Sequence, residues 1–315
     1  MGLANRYALL TVDTEALPKR AEVDHVDRLI WGVHAHGSAG IREMCSIGKD
    51  FDAKHIFFVD MCGSYLYPKK MTEVVKWLDD EDQDVQLHLH PEILPKKFWI
   101  DSGLDAVPRY MNEYISEDQA TKVVRHFSEL LSGITRKNVL ACRAGSFRWN
   151  AHFIRALEVA GISMSFNNSM RAHMAGRSPF GRPTNLPYLW SNGVLEVPVT
   201  ERRVPAKGRR PERWVSLTYP ESSYFPFRTR LFPGAPRFLR SGPSLAVLLT
   251  HSWSFLYWND RRQAVYRDDQ RLDEYRNLLA RVSRDYDIVT TAEFLDLHAR
   301  GKISLSPSVD VSRAE

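Results

Sequence analysis

The chain's apolar residues arrive in short, β-branched runs separated by stretches of helical periodicity, and that alternation is the strongest constraint on its fold. The runs are Tyr7–Val12, His55–Val59, Val85–His90, Val139–Arg143, Ile162–Phe166, Val194–Val199, Ala246–His251 and Tyr286–Val289. Such alternation is the signature of parallel β/α units rather than a sandwich. Helix starts carry their own signals. Ser116 with Gln119 forms a capping pattern before 117–132, Asn150 precedes a helix that ends at Gly161, and Thr290 with Glu293 repeats the pattern near the C-terminus. Eight strands alternating with helices predict an α/β fold, a distorted (β/α) barrel of seven or eight strands. A single domain is expected over 1–300, with a polar tail at 301–315 whose last dozen residues are expected to fray.

The region 202–243 interrupts this rhythm. It holds seven prolines and seven aromatic residues, so it is neither a regular helix nor a simple disordered linker, and an ordered insertion is expected there. It is also where the charge lies. Ten Lys or Arg residues stand between 202 and 240 against Glu212 and Glu221, a local charge of +8 in a chain of net +5. The remainder is therefore slightly acidic, which argues against a generally basic nucleic-acid-binding surface and for a local anion-binding one. That anion would be carried by a nucleotide-linked or lipid-linked substrate, the second implying peripheral membrane contact; an oligomer contact or a solvated lid is the alternative use.

Other classes are excluded more directly. No run of about 18 apolar residues offers a membrane span, and the N-terminus has no signal-peptide pattern, so a soluble, cytoplasmic protein is expected. Cys45, Cys62 and Cys142 have neither metal spacing nor a disulfide framework. Nucleophile-elbow, P-loop and dinucleotide motifs are absent.

Acidic, histidine and arginine residues recur where the predicted strands end, the position at which parallel β/α barrels build active sites. Asp13 and Glu15 close the first run; two residues apart in extended chain, they face one way. His88 and His90 repeat that spacing and suit a divalent metal, zinc above all when one carboxylate is added. Arg143 closes a buried run, where a guanidinium is costly unless it meets a carboxylate such as Asp13 or Glu15. His251 ends the apolar run that starts at Ala246. His34 and His36 form a further pair but have no strand before them.

In order and spacing these residues resemble the five motifs of the polysaccharide deacetylase (NodB-homology, carbohydrate esterase family 4) superfamily. The motifs are Thr11-Val12-Asp13-Thr14-Glu15, His88-Leu89-His90-Pro91, Arg143-Ala144-Gly145-Ser146-Phe147, Glu196-Val197-Pro198-Val199 and Leu249-Thr250-His251. Asp13-Thr14-Glu15 replaces the usual adjacent aspartates, one residue separates the histidines instead of three, and Ala144-Gly145 replaces a proline-containing segment. These departures resemble an atypical branch, the WbmS-like proteins of bacterial O-antigen loci. The resemblance implies a metal-dependent N-deacetylase acting on an amino sugar. Glu15, His88 and His90 would be ligands of the divalent ion, Asp13 the base, Arg143 its orienting partner, His251 the acid and Glu196 a tuning group. The rival reading is a catalytically inactive, metal-binding barrel that serves as a glycan-binding or assembly protein.

Overall fold

The computed structural model describes residues 6–103, 109–220, 243–261, 263–267 and 269–315. Its strands, in chain order, are β1 (Tyr7–Thr14), β2 (Ile56–Asp60), β3 (Asp84–Leu89), β4 (Ala141–Ala144), β5 (Met164–Ser165), β6 (Tyr188–Leu189), β7 (Leu195–Glu196), β8 (Glu201–Val204), β9 (Arg213–Ser216), β10 (Leu245–His251), β11 (Leu256–Trp258), β12 (Ala264–Arg267) and β13 (Asp287–Ile288). All eight apolar runs form strands. The expected helix starts also hold: Ser116 Oγ accepts from Gln119 N (3.3 Å) before Glu117–Thr135, and Asn150 Oδ1 accepts from Phe153 N (3.1 Å) before Ala151–Val159. Gly161, which follows the second helix, has φ +73°, a left-handed conformation that favours glycine. Among the described residues no helix is long and apolar enough to cross a membrane.

Contacts divide the chain into two compact units. The first comprises Met1–Phe57, Asp82–Asp84 and Val199–Asp296; the second comprises Phe58–Glu81, Val85–Pro198 and Leu297–Glu315.

In the first unit β1 pairs in parallel with β10, from Tyr7↔Leu245 to Asp13↔His251, and with β13. Every residue of β1 is buried. Each fully covered Leu or Val of that strand contributes roughly 1.5–3 kcal/mol of apolar burial. Part of the 202–243 region is ordered as the antiparallel hairpin β8–β9, with Arg203 opposite Trp214 and a tight turn in which Lys207 and Arg210 exchange hydrogen bonds. Beyond the hairpin, Thr218 bridges Leu249 in parallel. Lys207, Arg209 and Arg210, in the turn of the hairpin, are exposed. Residues 221–242 of the expected insertion lie outside the described residues.

In the second unit β3, β4, β5 and β7 are parallel neighbours and β6 returns antiparallel on β7. The tail expected to fray is docked instead. Val309 N donates to Leu189 O (2.9 Å), Ser191 N donates to Val309 O (2.8 Å), and Val309, Val311 and Ala314 are buried. Three apolar side chains spaced along a polar segment suffice to hold it, a pattern that its composition conceals.

Candidate active-site residues

The first unit brings together Asp13, Glu15 and His251. Parallel pairing of β1 and β10 puts Asp13 directly beside His251, and Ser252 N donates to Asp13 O (2.9 Å), extending the pairing past the strand ends. Both carboxylates are 4% exposed, and a donor atom from each of the three side chains lies within 4.8 Å of the others. His251 Nε2 is 4.0 Å from Asp13 Oδ2. The imidazole side chain is about a third exposed at 35%, so this pair has both a protected carboxylate and an accessible ring. Two contacts set the ring's position: His251 N donates to Ser254 Oγ (2.9 Å), and the ring stacks on Trp253 at 4.8 Å and 29°.

The second unit brings together His88, His90 and Arg143. His88 and His90 are buried, with ring centroids 4.9 Å apart and nearly perpendicular. His88 Nδ1 donates to the Arg143 carbonyl (2.8 Å), which follows from the register His88↔Arg143. His90 Nδ1 donates to Glu92 Oε1 (2.6 Å). An imidazole whose Nδ1–H is held by a carbonyl or carboxylate has its tautomer fixed with the lone pair on Nε2, the usual condition of a metal-ligating histidine. The donor chemistry of the pair thus fits a divalent ion.

The backbone is shaped around His90. A Cβ placed on Gly145 would lie 2.5 Å from His90 Nδ1, so the motif that follows β4 needs glycine where the histidine ring passes. Ser146 and Phe147 then take φ +55°, a left-handed conformation that non-glycine residues rarely adopt. Asp60, at the end of β2, accepts from the amides of Cys62 and His90 (3.1 Å each), fixing the chain on which His90 rides.

Arg143 is fully buried. Its Nε donates to Phe166 O (3.3 Å) and its guanidinium carbon lies 4.4 Å from the Phe58 ring centre. Glu196 is fully buried too, and accepts from Ser165 Oγ (2.5 Å), Asn167 N (2.6 Å), Asn168 N (2.7 Å) and Trp190 Nε1 (3.2 Å). Burial pushes its carboxyl up to about 7 against the pull of those four donors. These bonds make Glu196 the tie that holds the chain after β5 against β7.

His34 and His36 sit in a turn, with His36 N donating to His34 Nδ1 (3.1 Å), and among the described residues they join no group of three ligand donors. The three cysteines are buried free thiols, and burial, then the charges of Asp60 and Glu92, holds Cys62 well above the usual thiol range. Asp60 and Glu92 were not singled out from the sequence. Asp60 ends an apolar strand just as Asp13 does, so the same signal marks it; Glu92 had only its place two residues after His90.

No protein-family model and no curated protein matches the sequence. Solved structures share its fold. One assigned as a polysaccharide deacetylase, from Mycobacterium smegmatis, superposes with a TM-score of 0.55 at 15% identity, covering 98% of this chain and 95% of that one. PuuE allantoinase gives 0.55 at 13% identity, covering 96% and 94%. A 4-α-glucanotransferase from Thermococcus litoralis gives 0.56 at 11%, covering 96% of this chain and 39% of that one. At such identities the likeness is one of fold, and the fold is the NodB-type (β/α) architecture of the polysaccharide deacetylases.

Proposed function

We propose that the protein is a metal-dependent N-deacetylase that removes the acyl group from an N-acetylated amino sugar, working in the cytoplasm on bacterial surface polysaccharide or O-antigen precursors. The observation that carries this reading is the pairing of Asp13 with His251: a buried carboxylate and an accessible imidazole, 4.0 Å apart at adjacent parallel strand ends. Amide hydrolysis needs a base for the attacking water and an acid for the leaving amine, and this pair supplies one of each.

Glu15, His88 and His90 are the residues that would hold the divalent ion, and two imidazoles with one carboxylate favour zinc. When bound, such an ion polarises the acyl oxygen and makes water a better nucleophile near neutral pH. The protein's own groups do the rest. Asp13 takes the proton of the attacking water at a carboxylate oxygen. His251, held by Ser254 and Trp253, delivers a proton to the departing nitrogen from Nε2. Arg143 and Glu196 act as positioning residues, the first through its carbonyl on His88, the second by fixing the chain after β5.

Elemental analysis tests the ligand assignment. Purified wild-type protein is expected to hold close to one equivalent of divalent metal, and His88→Ala or His90→Ala to lose it. Full metal content in both variants would remove the histidine pair from the site.

A further inference from the structure

A charge on the substrate close to the reacting bond calls for a cationic group beside His251. Arg20 lies in the segment that follows Glu15. Its backbone is fixed on both sides: Arg20 N donates to Leu17 O (2.9 Å), and Ala264 N donates to Arg20 O (3.0 Å). The guanidinium carbon lies 4.9 Å from the centre of a Trp258 ring and 5.6 Å from that of Trp253. The two indoles meet edge to face at 6.0 Å. Trp253 is the same residue that stacks on His251, so Arg20 is one ring removed from the imidazole. Among the described residues no carboxylate pairs with Arg20, and no acceptor takes a hydrogen bond from its guanidinium.

A half-buried guanidinium with no acid partner among the described residues is unusual, because its five N–H groups lose water without gaining acceptors there. Stacking on indole occupies the flat face of the group and leaves its N–H edge, the edge that matches a carboxylate or phosphate in a two-pronged contact. We propose that Arg20 is a specificity-determining residue that binds an oxyanion, phosphate or carboxylate, carried by the amino-sugar substrate beside His251. This rests on the deacetylase reading above. It also assigns the indoles a purpose: they hold the cation rigid and exclude water from it, so less ordering is required on binding.

Calorimetric titration with deacetylated sugars tests the proposal without turnover. The probes are glucosamine 1-phosphate, muramic acid and neutral glucosamine, used with wild-type protein, Arg20→Gln and Arg20→Lys. Wild-type protein is expected to bind one of the charged sugars about ten- to hundredfold more tightly than glucosamine, the scale of a charge-assisted hydrogen-bond pair. Which of the two it prefers identifies the anion as phosphate or carboxylate. Arg20→Gln should abolish the preference, and Arg20→Lys should retain part of it. Equal binding of charged and neutral sugars by wild-type protein, binding of neither, or a preference that survives in Arg20→Gln overturns the proposal. A preference that depends on Arg20 in a protein that releases no acetate from any N-acetyl sugar would uphold the anion site and reject the deacetylase reading, so the two fail separately.

Discussion

Gly145→Ala is the smallest change that should disable the histidine pair without touching it. The added methyl would lie 2.5 Å from His90 Nδ1, 2.6 Å from Cε1 and 2.7 Å from Cγ, whereas ordinary contact begins at 3.4 Å. The ring, or the backbone after β4, must therefore move by about 1 Å. Neither moves freely. His90 is buried and its Nδ1 is held at 2.6 Å by Glu92, while the segment after Gly145 already carries two consecutive left-handed residues. Overpacking of this kind costs about 1–3 kcal/mol. Metal–ligand distances tolerate only about 0.2 Å, so a shift of this size is also incompatible with ligation by His90. The assay is metal content together with urea unfolding of the same preparations. A loss of about 1–3 kcal/mol with metal occupancy falling in parallel is expected. Wild-type stability and occupancy in Gly145→Ala would refute the argument that this glycine is required by the ring that crosses it.

Glu92→Gln should weaken metal binding about ten- to a hundredfold in a competition titration with a chelator, since it exchanges the carboxylate that anchors His90 Nδ1 for an amide. His55 is buried against Tyr275, Nε2 to hydroxyl 2.8 Å, and burial lowers its pKa to about 4 from 6.5. Between those values the unfolded chain binds the extra proton, so stability should rise with pH from about 4 to 6.5, by up to roughly 3 kcal/mol, and His55→Phe should flatten that slope in unfolding curves. Glu196 works in the opposite sense: its folded pKa of about 7 lies above the ordinary 4.5, so its contribution is present below 4.5 and lost as pH rises through 7. Unfolding of Glu196→Gln across that range should show a smaller decline with pH than the wild type does.

The strands were legible because apolar β-branched runs such as Ala246–His251 satisfy a parallel sheet and little else. The caps at Ser116 and Asn150 were legible because a side-chain oxygen at that position answers an orphan amide. The hairpin β8–β9 was not, because its residues are cationic and broken by Pro205 and Pro211; cross-strand pairing, not apolar burial, makes it a hairpin. Among the candidate residues, Asp13, Glu15 and His251 come together because each stands at or just past the end of β1 or β10. Arg20 gave no signal, since its significance depends on two indoles more than 230 residues away in the chain.

The central claim is chemical, and acetate release by wild-type protein and Asp13→Asn, with metal content measured on the same samples, tests it most directly. The account predicts that wild-type protein releases acetate from an N-acetylated amino sugar. It also predicts that Asp13→Asn loses about 10²–10⁴-fold in rate, the usual contribution of a general base, while keeping its metal. Acetate release unaltered by Asp13→Asn, or absent from metal-loaded wild-type protein on every N-acetyl sugar tried, would contradict it.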